Sequence, residues 1–183
     1  MTAVTTLPMG RPLTRDDLDA MPDDGHRYEL IDGVLVVSPS PRTRHQDLVK
    51  GLHLALHAAC PRELKLMFAP FDVVLANDTV LVPDLIVAPR AQFTDRELSG
   101  APSLCIEVLS PSTRRFDQLV KRDRLQASGV GAYWLVDPDE PAITVLELVE
   151  GVLVEQQRVS GDERLEVTVP FPVTLVPNDL RDD

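Results

Sequence analysis

The chain has 183 residues, of which 44% are hydrophobic and 26% charged, values that fit one soluble domain able to bury its own core. It holds no apolar run of the ~20 residues that a membrane span requires, and the opening MTAVTTLPMGRPLTRDD lacks the apolar centre of a secretion signal. A formal charge of −11 argues against a tight non-specific nucleic-acid binder, whose affinity comes from neutralising phosphates, but leaves room for an enzyme with a locally basic cleft.

Cys60 and Cys105 stand in unrelated settings and form no metal-type pair, so a reduced, cytoplasmic protein is expected.

Residues 1–12 read as a flexible arm, residues 13–177 as the domain and 178–183 as a tail. A first helix is predicted from Thr14 to Met21, capped by Thr14 and carrying Asp16 and Asp17 in its first turn. Pro22 to Gly25 breaks the chain. Tyr28–Ile31 and Val34–Val37, joined by Asp32-Gly33, form a β-hairpin signature. A helix follows from Thr43 to Cys60, with Leu48, Leu52 and Leu56 at helical spacing.

The middle is strand-rich. Asp72–Leu75 and Val80–Val82 flank the turn Asn77-Asp78, Pro83 interrupts, and Asp84–Val87 continues. Leu104–Leu109 is apolar except for Glu107, the pattern of a strand covered on both faces. A helix from Ser112 to Ser128 stops at Gly129. Tyr133–Val136 is a further buried strand, with Trp134 read as core. Ile143–Leu148, Val152–Gln157 and Leu165–Val169 read as an antiparallel meander. One α/β domain with a mixed sheet flanked by helices is the expected architecture.

Two carboxylates interrupt apolar strands: Asp84 in VLVPDLIVA and Glu107 in LCIEVLS. Burying such a group unpaired is costly, so each must meet a partner or a cation. Two carboxylates on neighbouring strands repel, and a divalent ion offsets that repulsion. Oxygen donors of this kind suit Mg²⁺ or Mn²⁺. Taken singly, either carboxylate could instead sit at a strand end and meet solvent or an arginine.

Pro83-Asp84, then Glu107, then a basic residue resembles the PD-(D/E)XK nuclease superfamily. YELIDG at 28–33, VPDLIV at 82–87, EVLSPST at 107–113, the Asp117-to-Lys121 spacing and YWLVDP at 133–138 more closely resemble the Uma-type family of bacterial restriction endonucleases. The resemblance spans about residues 14–150. It implies a restriction-endonuclease-like fold in which a strand pair presents Asp84 and Glu107 to a metal, helped by the carbonyl of Val108. Position 109, where the superfamily places a lysine, is Leu; Lys121 on the next helix matches the family's replacement. Glu29 matches an acidic position of the hairpin, and His45 a position that often holds histidine. The sequence departs from the family pattern at Leu125 and at Gly131-Ala132, positions apart from the expected ligands.

Without the resemblance, Lys121 would read as a solvated helix lysine. His53 and His57 have i,i+4 spacing but lack the glutamate of an H-E-x-x-H site, so they read as a polar helix face. Arg114, Arg115 and Arg122, with Arg124, read either as a local phosphate-binding face or as ordinary charge pairs with Asp117 and Asp123.

The expected protein is therefore a Mg²⁺-dependent endonuclease-type phosphodiesterase acting on nucleic acid, DNA first, with a homodimer as an expected assembly and no membrane partner. The alternatives are a catalytically silent or regulatory binding protein of the same fold, and a metal-dependent hydrolase of a small phosphorylated compound. The strain expected between Asp84 and Glu107 predicts that Asp84→Asn keeps or raises stability; Lys121→Met is expected to keep the fold.

Overall fold

A computed structural model describes residues 8, 10–22, 24–111 and 114–181. Thr14 opens helix α1 (Arg15–Asp19), and its N–H is accepted by Asp17 at 2.8 Å in the manner of a capping box. The predicted hairpin forms as β1 (Arg27–Ile31) and β2 (Val34–Ser38). Its turn residues, Asp32 and Gly33, both take positive φ (51° and 74°), as a two-residue turn of this hand requires. Helix α2 (Thr43–Ala59) buries Leu48, Leu52 and Leu56, the predicted stripe.

Strand β3 (Leu64–Phe68) follows, a strand absent from the sequence reading. Then come β4 (Asp72–Ala76), β5 (Thr79–Leu81), β6 (Leu85–Pro89) and a short 3₁₀ turn at Arg90–Gln92. The three-residue β7 (Glu97–Ser99), also not foreseen, precedes β8 (Leu104–Val108). The predicted Ser112–Ser128 helix begins on residues 112 and 113, which lie outside the described residues. The remainder is helical but not uniformly so: α3 (Arg114–Phe116), a π-helical turn (Asp117–Lys121), then α4 (Arg122–Ser128). Strands β9 (Ala132–Asp137), β10 (Ala142–Val149) and β11 (Val152–Ser160) follow, then β12 (Leu165–Val167), β13 (Val173–Leu175) and a 3₁₀ turn at Pro177–Leu180.

Two sheets carry the fold. The larger is six-stranded in the order β11-β10-β9-β8-β6-β3, and the smaller is five-stranded in the order β2-β1-β5-β4-β7. In the larger sheet β8 and β9 run parallel, joined by the α3–π–α4 crossover, while the other pairs are antiparallel. A parallel pair needs such a crossover because its strand ends lie at opposite edges. The tail meander holds through β9, β10 and β11. Leu165–Val167 departs from the expected meander: it leaves that sheet and pairs with β13 in a separate two-stranded sheet.

Alternation along the strands separates two cores. Leu85 and Val87 of β6, with Leu104, Ile106 and Val108 of β8, pack against Leu48, Leu52 and Leu56 of α2; Trp134 belongs to this core as expected. The opposite face of β6 and β8, carrying Ile86, Ala88 and Cys105, packs with Ile31, Val73, Leu81 and Leu98 of the smaller sheet and with Leu125 of α4. Asp84 and Glu107 share the period of this second face.

Both ends of the chain dock where described. Arg11 pairs with Asp17 at 2.7 Å, Leu13 N–H donates to the Gly33 carbonyl at 2.9 Å, and residues 1–7 and 9 of the expected arm lie outside the described residues. The Pro177–Leu180 turn, part of which was assigned to the tail, packs on α2 so closely that a Cβ on Gly51 would overlap the Leu180 carbonyl. Helix α4 lies along the outer edge of the larger sheet: Arg122 donates to the Leu153 carbonyl at 2.7 Å and Gln126 accepts the Leu153 N–H at 2.8 Å. Among the described residues no helix is long and apolar enough to cross a membrane.

Candidate active site

Four carboxylates converge beneath a cleft. Glu29 comes from β1, Asp84 from the residue preceding β6, Glu107 from β8 and Asp117 from the π turn; all are buried, at 1–2% exposure. Lys121, 1% exposed, sits among them. Its Nζ lies 2.8 Å from Glu107 Oε1, 2.9 Å from Glu29 Oε1 and 3.5 Å from Asp117 Oδ1. The π turn sets this aim. Lys121 points inward to the sheet, while its neighbours Leu119 and Val120 are exposed, the division expected for a lysine serving the site. Single π turns often mark functional positions in helices.

Burial alone would lower the Lys121 ammonium, but Glu107, Glu29 and Asp117 outweigh it and hold Lys121 above its ordinary range. Glu107 goes the other way. Burial pushes its carboxyl up, Lys121 pulls it down, and Asp84, Asp117 and Glu29 add repulsion, leaving it well above the usual glutamate value.

Asp84 is held differently. Burial pushes it up, but the hydrogen bond and charge of His45, the Arg27 guanidinium and the Val108 N–H prevail and keep it below its usual value. Oδ2 accepts from Val108 N–H at 2.8 Å and faces His45 Nε2 at 3.1 Å; Oδ1 accepts from Arg27 Nη1 at 3.1 Å. The first turn of α2 brings His45 to Asp84. The backbone group of Val108 that meets Asp84 is its N–H. Glu29 also accepts the N–H of Val82, just past the end of β5, at 2.8 Å, a bond within the smaller sheet that fixes the Glu29 carboxylate.

Among the described residues no three His, Cys, Asp or Glu side chains stand close enough to form a ready cation cage. The carboxylates that could hold an ion here are oxygen donors, the kind a hard divalent cation takes. Mg²⁺ is commonly held by one or two carboxylates and keeps several waters, and Asp84 with Glu107 supplies such a pair. Lys121 and Arg27 are the permanent cations that face the four buried carboxylates.

The cleft above has a volume of about 890 Å³. Asp84, Glu107 and Val108 line it with Arg27, Arg42, Arg44 and His45. The three arginines proposed from sequence as substrate contacts lie elsewhere. Arg114 pairs with Asp137 at 2.6 Å, Arg115 is exposed away from the cleft lining, and Arg122 holds the sheet edge. His53 and His57 stack at 5.6 Å, with Phe68 against His53 at 5.0 Å, outside the cleft lining.

Arg27 and Asp117 entered the site unannounced. Arg27 lies just before the YELIDG hairpin motif and carries no signal of its own, while Asp117 figures in the sequence only through the Asp117-to-Lys121 spacing and as a charge partner of the helix arginines. Their place is shown by contacts in the fold, Arg27 on Asp84 at 3.1 Å and Asp117 beside Lys121 at 3.5 Å.

A mixed sheet that carries buried carboxylates and a lysine on its crossover helix has the architecture of a nuclease-fold domain. The chain is similar in fold to the crystal structure described as a "putative nuclease belonging to DUF820 from Anabaena variabilis ATCC 29413", with a TM-score of 0.69 and 22% identity over 92% of this chain and 97% of that one. The chain belongs to the Uma2 family, whose model, described as "Putative restriction endonuclease", matches residues 15–178. No curated protein matches it.

Proposed function

We propose that the protein is a divalent-cation-dependent nuclease of the endonuclease type, acting on DNA. The observation that carries this reading is the Asp84–Glu107–Lys121 cluster lying beneath a cleft lined by Arg27, Arg42 and Arg44. In a protein of net charge −11, three arginines stand at this one cleft, Arg27 paired with Asp84 and Arg44 with Asp139, so a phosphodiester entering there would meet guanidinium groups.

Asp84 and Glu107 would hold Mg²⁺ or Mn²⁺. The ion supplies a nucleophilic water near neutral pH and stabilises charge on phosphate oxygens. Lys121, fixed by Glu29 and Glu107 beneath the cleft lining, would place a preorganised positive charge behind Glu107. Val108 N–H and His45 keep Asp84 ionised and oriented.

A cleft of about 890 Å³ is also of small-ligand size, which keeps a small phosphorylated substrate as the second reading. The deciding experiment incubates the protein with Mg²⁺ or Mn²⁺ and duplex DNA, single-stranded DNA, RNA and a simple phosphodiester. Endonucleolytic DNA cleavage that is lost with EDTA and in Glu107→Gln is the expected result. Turnover of the simple diester alone would favour the second reading, and no turnover of any substrate would favour a silent binding protein.

A further inference from the structure

The two oxygens of Asp84 are held in different ways. Oδ2 is fixed by the backbone N–H of Val108 and by His45, groups set by β8 and α2. Oδ1 is met by Arg27, a long side chain at the start of β1 that is 26% exposed and lines the cleft. Of the two oxygens, Oδ1 is therefore the one whose partner can leave without disturbing a strand or a helix.

A guanidinium does not shed its charge, and its fork suits phosphate oxygens as well as carboxylates. It cannot share Oδ1 comfortably with a divalent ion, because like charges on one oxygen repel. Resting on the proposed function above, we infer that Arg27 is a phosphate-binding residue held in reserve: it occupies Asp84 Oδ1 in the cation-free protein and transfers to the phosphodiester of bound DNA once a divalent cation takes that oxygen.

Arg27 then competes with the cation and cooperates with it in substrate binding. Burial works against the Arg27 charge, but Glu107, Glu29 and Asp84 outweigh it, so Arg27 sits as a cation among these carboxylates and removing it should leave them more open to another. A merely structural arginine would show the opposite sign, since its loss would loosen the carboxylates.

The test uses Arg27→Met and Arg27→Lys in the full chain, Mn²⁺ as the cation probe by calorimetry, and a nuclease-resistant phosphorothioate duplex by fluorescence anisotropy. Arg27→Met should bind Mn²⁺ about fivefold tighter or better, the low end of ordinary coupling between sites. Without Mn²⁺ it should bind the duplex as the parent does. With Mn²⁺ it should bind roughly tenfold more weakly than the parent, the scale of one lost hydrogen bond to a charged group. Arg27→Lys keeps the charge and loses the fork, so it should keep the parent's Mn²⁺ affinity and part of its duplex affinity; it decides the matter if Arg27→Met does not fold. Weaker Mn²⁺ binding in Arg27→Met, or equal duplex loss with and without Mn²⁺, would overturn the inference and leave the nuclease reading standing. A parent protein that takes up no Mn²⁺ would sink both.

Discussion

Asp84 and Glu107 look alike in the sequence, each a single acid in an apolar strand, yet they sit in opposite environments. Asp84 has three groups favouring its charge, His45, Arg27 and the Val108 N–H, so Asp84→Asn should lower stability by roughly 1–3 kcal/mol, the cost of losing hydrogen bonds to a buried charge; this reverses the sign expected from sequence. Glu107, raised well above the usual value of 4.5, is the strained member, and Glu107→Gln should melt higher than the parent in the absence of metal. Thermal unfolding of the two variants side by side checks this, and a higher melting point for Asp84→Asn would refute it. Lys121→Met strips the cation from between Glu29 and Glu107. Removing one partner of a buried pair costs roughly 3–5 kcal/mol, so this variant should lose stability as well as activity, and adding Glu107→Gln to it should restore part of the melting temperature. At the rim, Asp137 illustrates the acid limb. Burial pushes it up, but Arg114 and the N–H groups of Asp139 and Glu140 hold it below the usual 3.8. A depressed folded value means stability that is present above 3.8 and lost as the pH falls through the folded value. Denaturant unfolding from neutral into acid should therefore fall less steeply in Arg114→Gln. The two strand acids were legible because charge among Val, Leu and Ile stands out. Lys121 was legible only through family likeness, because a lysine between Val120 and Arg122 looks solvated.

The elements that the sequence announced are those with local signals: the Asp-Gly hairpin, the leucine stripe of α2, and the apolar runs of β8 and β9. Those it hid depend on distant partners. β3 carries Lys65 among its apolar residues and reads as a loop after Pro61, but becomes a strand by pairing with β6. β7 is three residues long and exists through its parallel pairing with β4. The division into two sheets is joined to sequence by even less, since β1 meets β5 through the single pair Leu30↔Val80. The π turn has no sequence signal that we can identify; the demand for Lys121 at Glu107 is met in three dimensions. Helix α2 and the Pro177–Leu180 turn offer a test of packing at this scale. A methyl group on Gly51 meets the backbone of Leu180, which cannot rotate away. Gly51→Ala should cost roughly 1–3 kcal/mol, as overpacking does, although alanine is the better helix former. A melt showing that Gly51→Ala is as stable as the parent would mean that the terminal turn is free to lift off.

Taken whole, the molecule carries −11 and gathers Arg27, Arg42 and Arg44 at one cleft. Few phosphates can be neutralised there. The logarithm of duplex affinity against the logarithm of salt should therefore slope at about −3 or shallower, near 0.9 for each phosphate contacted. A much steeper slope in anisotropy titrations would reveal a second basic surface. One further property belongs to the molecule as a whole. Leu153 lies on the outer strand of the larger sheet, and its N–H and carbonyl are occupied by Gln126 and Arg122. Its neighbours Val152 and Val154 are exposed. Such a strand, if uncovered, is a template on which another chain can add. We predict that Arg122, by occupying the Leu153 carbonyl, limits pairing of this strand with another copy of the chain. A chain lacking it should stay folded at low concentration yet turn cloudy on concentration or warming, its lifetime in solution set by aggregation at one unguarded strand.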